Sequence, residues 1–179
     1  MENKLQKSIL LICYSFPPNK GIGGRRWAKF AKHLANDGYD VHVICKKPEK
    51  NEASEWTSDA AASNIFTYPL AARYPKILTS VPHTFFQKLE YRIWLLLFKF
   101  LSHGTFPERT FFWKKQVLKK AEELIHQKKI KNVVATVPPF RIGYYASFLK
   151  DKFPDLNFIL DYRDPWTDNK TFHGFMNLS

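Results

Sequence analysis

The sequence predicts an α/β protein with a doubly wound parallel sheet and helices on both faces of that sheet. Three observations support this fold class. Short apolar runs alternate with segments of helical periodicity. A glycine-rich loop joins the first apolar run to the first helical segment, and polar residues of unusual type follow several of the runs. The 179 residues, 45% of them apolar, can bury the core of one domain.

Residues 8–45 predict a strand, a helix and a second strand. The strand at 8–15 is mostly apolar, which is typical of a central parallel strand. The helix at 25–37 has apolar residues spaced to share one face: Trp27, Phe30, Ala31, Leu34 and Ala35. Gly38 stands where a glycine ends a helix, and residues 40–45 form the second strand. This unit implies a parallel sheet with a right-handed crossover.

The remaining chain continues the alternation of strands and helices. Further strands are predicted at 65–68, 132–136 and 157–160, and further helices at 83–103, 108–129 and 142–152. Polar or proline-rich loops at 46–64 and 69–82 lie between them. We therefore expect one Rossmann-like domain spanning 1–179, with a helical insertion rich in aromatic and basic residues near 83–129.

Three loops are expected to meet at one edge of the sheet. In a doubly wound sheet, ligands bind beyond the carboxyl ends of the strands. The loops at 16–24, 137–141 and 162–168 each follow such an end, and they contain most of the chain's unusual residues. The sequence thus predicts a binding site at this edge.

The loop Gly21-Ile22-Gly23-Gly24-Arg25-Arg26 departs from the dinucleotide-binding pattern. In G-x-G-x-x-G the last glycine would stand at Arg26. The second strand is followed by lysines, where NAD-binding domains have an acid for the ribose. Dinucleotide binding is therefore disfavoured. Gly23 and Gly24 either let the backbone approach a phosphate at the helix start or serve only the turn.

Arg25 and Arg26 fall in the first turn of the predicted helix, where the helix dipole disfavours cations. Two explanations stay open. A bound anion would reverse the sign of this effect, or water solvates both guanidinium groups at a small cost.

The motif Asp161-Tyr162-Arg163-Asp164-Pro165-Trp166 follows directly on the fifth strand. A carboxylate there can act as a base or orient a hydroxyl, and Arg163 can bind a phosphate with two parallel hydrogen bonds. Trp166 offers a flat face that suits a sugar ring. The equally weighted alternative is an internal Arg–Asp pair that holds the loop.

A further motif, Thr136-Val137-Pro138-Pro139-Phe140-Arg141, precedes a predicted helix. Prolines before a helix are ordinary. Only the position at the same sheet edge makes Pro139 and Arg141 candidate binding residues.

The middle of the chain is crowded with aromatic residues, and the net charge of the chain is +12. An interfacial helix pair would bury aromatic rings among lipid tails and place lysines at anionic headgroups. The alternative is a core-packing helix followed by a solvated basic helix. We favour the membrane surface, because the aromatic content exceeds what one core face needs. The aromatic residues are Phe85, Phe86, Tyr91, Trp94, Phe98, Phe100, Phe106, Phe111, Phe112 and Trp113.

Several other classes of protein are disfavoured. Cys13 and Cys45 lie in separate apolar runs without a C-x-x-C motif, so we expect buried reduced thiols. The six histidines lack metal-ligand spacing, so no zinc site is expected. Neither a signal peptide nor a membrane-spanning helix is predicted, since the most apolar run, 93–101, is too short. The positive charge favours an acidic partner, but the chain has no recognisable nucleic-acid motif.

The order and spacing of these motifs resemble the N-terminal half of family 4 glycosyltransferases, which have the GT-B fold. The similar subgroup comprises the glycosyltransferase 4-like domains of bacterial cell-surface polysaccharide synthesis. The resemblance spans nearly the whole chain and is sharpest at 9–45 and 133–167. It rests on Phe16-Pro17-Pro18, Gly23-Gly24-Arg25, Val41-His42-Val43-Ile44, Val137-Pro138-Pro139 and the motif from Asp161 to Trp166.

The resemblance implies retaining transfer of a sugar from a nucleotide-sugar donor, without a cofactor or required metal. The acceptor would be a cell-surface polysaccharide or a lipid-linked sugar. By position, Gly23 and Gly24 would lie near the donor phosphates, and Arg25 or Arg26 would contact a phosphate or the acceptor. The motif 161–166 would line the cleft.

This chain departs from the family at two points. Many relatives have a histidine just after the fifth strand, where this chain has Arg163-Asp164, so these two are its catalytic candidates. The family's second Rossmann-like domain, which holds the donor, does not fit within 179 residues. We therefore expect a truncated or split enzyme, inactive alone and completed by a separate C-terminal domain or chain.

The cysteine usage and the lack of a predicted signal peptide favour a cytoplasmic protein, and the aromatic and basic segment predicts a peripheral position at the inner face of the plasma membrane. The alternative function is a non-enzymatic protein that binds an anionic membrane surface and retains the fold. Nucleic-acid binding, motivated by the charge alone, ranks last.

Overall fold

The computed structural model describes residues 7–20, 22–49, 53–101 and 108–163. Within these ranges, five strands form one parallel sheet: β1 (Lys7–Ile12), β2 (Tyr39–Lys46), β3 (Ile65–Leu70), β4 (Asn132–Val137) and β5 (Asn157–Tyr162). The same ranges contain the α-helices α1 (Arg25–Asn36), α2 (Phe85–Leu101), α3 (Lys114–Lys128) and α4 (Arg141–Lys152). The predicted Rossmann-like, doubly wound α/β class is confirmed.

The strands lie in the order β3-β2-β1-β4-β5. The chain therefore builds the sheet outward from β1 to β3, then returns to the other side of β1 for β4 and β5. A doubly wound sheet opens a crevice where this direction reverses. Here the reversal falls between β1 and β4, beyond their carboxyl ends.

Alternate residues of β1 enter two separate cores, as expected of a strand at the centre of the sheet. Leu10 and Ile12 belong to the cluster that includes residues of α3 and α4. Leu11 belongs to the cluster on the opposite face, which α1 covers. The predicted strand at 8–15 is shorter in the structure, but the amide of Cys13 still donates to the carbonyl of Ile44 at 3.0 Å.

Helix α1 packs through small residues. Ala28, Ala31 and Ala35 are buried, whereas Phe30, predicted for the same face, is 49% exposed. Alanines let the helix axis approach the sheet closely, and the larger side chains spread to the sides. Gly38 has a φ of +83°, and its amide donates to the carbonyl of Ala35 at 3.0 Å, which confirms it as the glycine that ends the helix.

The predicted helix at 108–129 begins six residues too early. Residues 108–113 form turns, closed by bonds from the amide of Phe111 to the carbonyl of Glu108 and from that of Trp113 to the carbonyl of Thr110. Trp113 is fully buried, and the Glu108 side chain bonds to the start of α4. These long-range contacts fix the segment outside a helix, and α3 starts only at Lys114.

The sequence left open a core-packing aromatic helix followed by a solvated basic helix. The structure shows the reverse arrangement for α2 and α3. Helix α3 buries Val117, Ala121, Leu124 and Ile125, whereas α2 buries only Phe98. The polar, basic helix is thus the core helix, and the aromatic one lies at the surface. Across the ranges that the structure describes, no helix combines the length and apolar character needed to cross a membrane.

Candidate functional site

A cleft of about 370 Å³ opens at the carboxyl ends of β1 and β4, where the sheet order reverses. This is the position at which doubly wound sheets bind ligands. The cleft is lined by Cys13, Tyr14, Ser15, Gly23, Glu108, Arg109, Thr136, Pro138, Pro139 and Arg163. The predicted edge therefore holds a cavity, formed by the ends of three strands and by the segment that precedes α3.

The loop between β1 and α1 is held in place by a buried asparagine. The Asn19 side-chain amide donates to the carbonyls of Phe16 and Lys46, each at 2.9 Å. Asn19 is 3% exposed. Because Lys46 ends β2, these bonds tie the loop to the neighbouring strand. A long loop is thereby fixed at the mouth of the cleft.

The two described glycines of this loop have different structural roles. A Cβ on Gly23 would lie 2.8 Å from Nη1 of Arg163, so the glycine leaves room for that guanidinium group. A Cβ on Gly24 would lie 3.2 Å from the Ser15 carbonyl oxygen and from the Cα of Phe16. Gly24 therefore lets two backbone segments pack closely, while Gly23 faces the cleft.

The start of α4 is stabilised by a carboxylate from a distant part of the chain. Oε1 of Glu108 accepts a hydrogen bond from the amide of Phe140 at 3.0 Å, and Oε2 accepts one from the amide of Arg141 at 2.8 Å. Helix N-termini favour negative charge, and Glu108 supplies it here. The same bonds hold Glu108 and the adjacent turn at Pro138-Pro139 against the cleft.

Two arginines give the cleft a positive character. Arg109 follows Glu108 directly, and Arg163 follows β5, where its amide donates to the carbonyl of Val137 at 3.0 Å. The lining contains two guanidinium groups and one carboxylate, that of Glu108, so its formal charge is +1. Guanidinium groups bind phosphates and carboxylates in a bidentate manner. The Ser15 hydroxyl adds a donor and an acceptor suited to a polyol. The Thr136 hydroxyl donates to Asp161, so it offers a ligand only an acceptor.

Asp161 joins two of the predicted motifs, beside the cleft. Its Oδ2 accepts hydrogen bonds from the Arg26 guanidinium group and, at 2.8 Å, from Nε1 of Trp27. Partial burial opposes ionisation, but the hydrogen bonds from Arg26, Trp27 and Thr136 outweigh it and lower the pKa of Asp161. The ionised carboxylate thus fastens the end of β5 to the start of α1.

The other candidate arginines lie against aromatic rings. The guanidinium carbon of Arg25 is 4.3 Å from the centroid of Trp56, and that of Arg141 is 4.4 Å from the centroid of Phe111. Such contacts are cation–π interactions. No side chain in the described ranges caps the N-terminus of α1.

The predicted site residues fall into three groups. Gly23, Pro139 and Arg163 line the cleft. Five further predicted residues are not part of the lining: Gly24, Arg25, Arg26, Arg141 and Asp161. Asp164 and Trp166 lie outside the described residues. Sequence reasoning missed Glu108 and Arg109, which it had assigned to a basic helix, because no local pattern indicates their distant partners.

The two cysteines are buried, unreactive thiols. Both are free and buried, as expected. Burial raises the pKa of Cys45 to about 12 and that of Cys13 well above its usual value, so both remain protonated thiols. No cluster of three or more His, Cys, Asp or Glu side chains that could hold a metal occurs within 7–20, 22–49, 53–101 and 108–163.

Comparison of this chain with models of known protein families, and with curated proteins, gives no match.

Proposed function

We propose that the chain is the acceptor-side domain of a retaining glycosyltransferase, which transfers a sugar from a nucleotide-sugar donor to a cell-surface polysaccharide or lipid-linked acceptor. The observation that supports this proposal most is the cleft at the reversal point of the sheet, where Arg109 and Arg163 stand beside the glycine loop. An anionic sugar derivative matches this lining, because guanidinium groups bind its phosphate and hydroxyl groups pair with its ring.

Each lining residue has a distinct part in this proposal. Arg163 contacts a phosphate, and Gly23 lets it lie close to the loop, since any side chain there would displace the guanidinium group. Arg109, which also lines the cleft, supplies a second guanidinium group for the same anion. Glu108 acts as a positioning residue, because it holds the wall of the cleft through α4. The catalytic roles predicted for Arg163 and Asp164 remain predictions.

Sugar transfer also needs a site for the nucleotide. We propose that a second nucleotide-binding domain or chain supplies it and closes over the cleft. The reaction then takes place between the two, and the 179-residue chain alone binds acceptor but does not turn over. No cofactor or metal is assigned to this proposal.

A direct test measures the binding of N-acetylglucosamine 1-phosphate, a minimal phosphorylated sugar, by saturation-transfer NMR and by calorimetry. We expect weak binding that Arg163→Gln reduces about tenfold through loss of a charge-assisted hydrogen bond. Arg73→Gln removes the same charge on a side chain that does not line the cleft, and should leave affinity unchanged. Equal affinity for all three proteins, or no binding of any phosphorylated sugar tested, would contradict the proposal.

A second candidate function is a non-enzymatic protein of the membrane surface. The exposed apolar side chains of α2 favour it. This candidate needs no ligand in the cleft, so it predicts that Arg163→Gln has no effect on any small-molecule binding. The NMR experiment therefore separates the two functions.

A further inference from the structure

Among the residues that the structure describes, helix α2 packs against the rest of the protein mainly through the side that contains Phe98. Phe98 is 1% exposed, and Tyr91 and Trp94 are partly buried on the same side of the helix. The ring of Phe98 lies 5.0 Å from that of Phe111 and 5.6 Å from that of Phe112, measured between centroids. This edge anchors the helix and leaves most of its circumference open.

The side of α2 opposite Phe98 is almost entirely apolar. At about 100° per residue, seven large apolar side chains fall within about 120° of one another, centred opposite Phe98. Each is between 44% and 80% exposed. We call this set the outer face; it consists of Phe85, Phe86, Leu89, Ile93, Leu96, Leu97 and Phe100. A continuous apolar surface of this kind marks an interaction site.

Basic residues run along one flank of the outer face. Lys88, Arg92 and Lys99 share that flank, whereas Glu90 lies on the other side. Helix α2 itself contains three basic residues and one acidic residue, so its formal charge is +2. The surroundings of the outer face therefore match a negatively charged partner.

These features favour a lipid surface over a second copy of the chain. A helix that lies in the interface buries its apolar side among acyl chains, while flanking lysines reach the headgroups. The net charge of +12 opposes self-association, because two copies would bring basic flanks together. An anionic bilayer satisfies both the apolar face and the charge.

We propose that α2 lies in the plane of an anionic bilayer, with its outer face among the acyl chains. Lys88, Arg92 and Lys99 then lie at the headgroups. The 17 residues of the helix would cover about 26 Å of membrane surface. This inference goes beyond the proposed transferase function and does not depend on it.

The anchor of α2 also links it to the cleft. Phe98 packs on Phe111, whose ring carries the Arg141 guanidinium group at the start of α4. Glu108 and Arg109, in the same turn segment as Phe111, line the cleft. The anchor of α2 is therefore continuous with the segment that forms one part of the cleft lining.

The test is co-sedimentation of the 179-residue chain with vesicles of phosphatidylcholine alone or mixed with phosphatidylglycerol. We expect binding to the mixed vesicles that weakens with added salt. Leu96→Gln should reduce this binding about tenfold, since it removes one inserted apolar side chain. Ile159→Gln is a matched control: Ile159 on β5 is 57% exposed and Leu96 is 58% exposed, and the control should bind as the parent does.

A charge variant completes the design. Replacement of Lys88, Arg92 and Lys99 by Gln should weaken binding to mixed vesicles more than binding to neutral ones. Failure of the parent chain to sediment with mixed vesicles would overturn the proposal. So would equal effects of Leu96→Gln and Ile159→Gln, or a dimer in sedimentation velocity that Leu96→Gln dissociates. Because the sugar-phosphate experiment contains no lipid, failure of one proposal leaves the other testable.

Discussion

Helices α2 and α3 follow each other in the chain, and their positions are the reverse of what their compositions suggest. Helix α3 contains seven charged residues among fifteen, yet it packs in the core beneath β1 and β2. Helix α2 contains mostly large apolar residues, yet it buries only Phe98. Total apolar content thus did not decide which helix joins the core.

Spacing explains the difference. The buried residues of α3 recur every three or four positions, at Val117, Ala121, Leu124 and Ile125, and form one stripe against the sheet. Its lysines extend from the other side into water. The apolar residues of α2 lie on two opposite sides of the helix, so no single protein face could cover them all. A core helix needs one narrow stripe, whereas a helix that is apolar on two sides needs two partners.

The largest expected effect is a difference in the free energy of unfolding between variants of these two helices. Leu124→Ala on α3 should lower the free energy of unfolding by about 3 kcal/mol, since it leaves a cavity in a fully packed core. Leu96→Ala on α2 should change it by less than about 0.5 kcal/mol, because the side chain already faces solvent. Urea unfolding followed by circular dichroism measures both.

Similar losses for the two variants would contradict this comparison and would mean that the outer face of α2 is packed in the free protein. Unchanged m-values are needed for the two variants to be compared, because a changed slope indicates a different unfolding transition.

A smaller effect tests the turn segment between the two helices. Glu108→Ala should destabilise the protein by about 1–2 kcal/mol, since two amides at the start of α4 lose their acceptor. Glu108→Gln should cost less, because its amide oxygen can still accept one bond. Urea unfolding provides the values, and Glu90→Ala on exposed α2 serves as the control, expected within about 0.5 kcal/mol of the parent. Equal values for Glu108→Ala and Glu90→Ala would show that the α4 contact contributes nothing.

Most of the fold could be predicted from local patterns in the sequence. Apolar runs and helical periodicity identified all five described strands and four described helices, because each pattern depends on neighbouring residues alone. The predicted start of α3 was wrong because it depends on residues that are distant in the sequence. Residues 108–113 take their conformation from buried Trp113 and from the bond of Glu108 to an amide 32 residues away, which no local pattern encodes.

The site was predictable to a similar extent. Gly23, Pro139 and Arg163 were found because they follow strand ends, and parallel strands bring their carboxyl ends to one edge. Arg109 reaches that edge from the segment after α2, a connection that only the tertiary structure reveals. The pairing of Arg26 with Asp161 was likewise hidden, although each residue had been selected separately.

The smallest expected effect is a pH dependence of the free energy of unfolding, caused by a histidine that lies beneath α3. His42 on β2 is buried, its Nδ1 lies 3.0 Å from the Tyr68 hydroxyl, and its Nε2 has no partner among the described residues. Burial lowers the pKa of His42, which the charge of Asp40 opposes and that of Lys128 reinforces. The unfolded chain therefore takes up this proton more readily than the folded one. The stability that depends on neutral His42 is fully present above about pH 6.5, and it is lost as the pH decreases toward the pKa of His42 in the folded protein.

The slope attributable to His42 should reach at most about 1.4 kcal/mol per pH unit, measured by urea unfolding at a series of pH values. His42→Phe keeps an aromatic ring stacked on Phe66 but cannot titrate, so the slope between pH 5 and pH 7 should decrease relative to the parent. His83→Gln, at an exposed position just before α2, should leave the slope unchanged. A parent slope that survives unchanged in His42→Phe would contradict the assignment of this pH dependence to the buried histidine beneath α3.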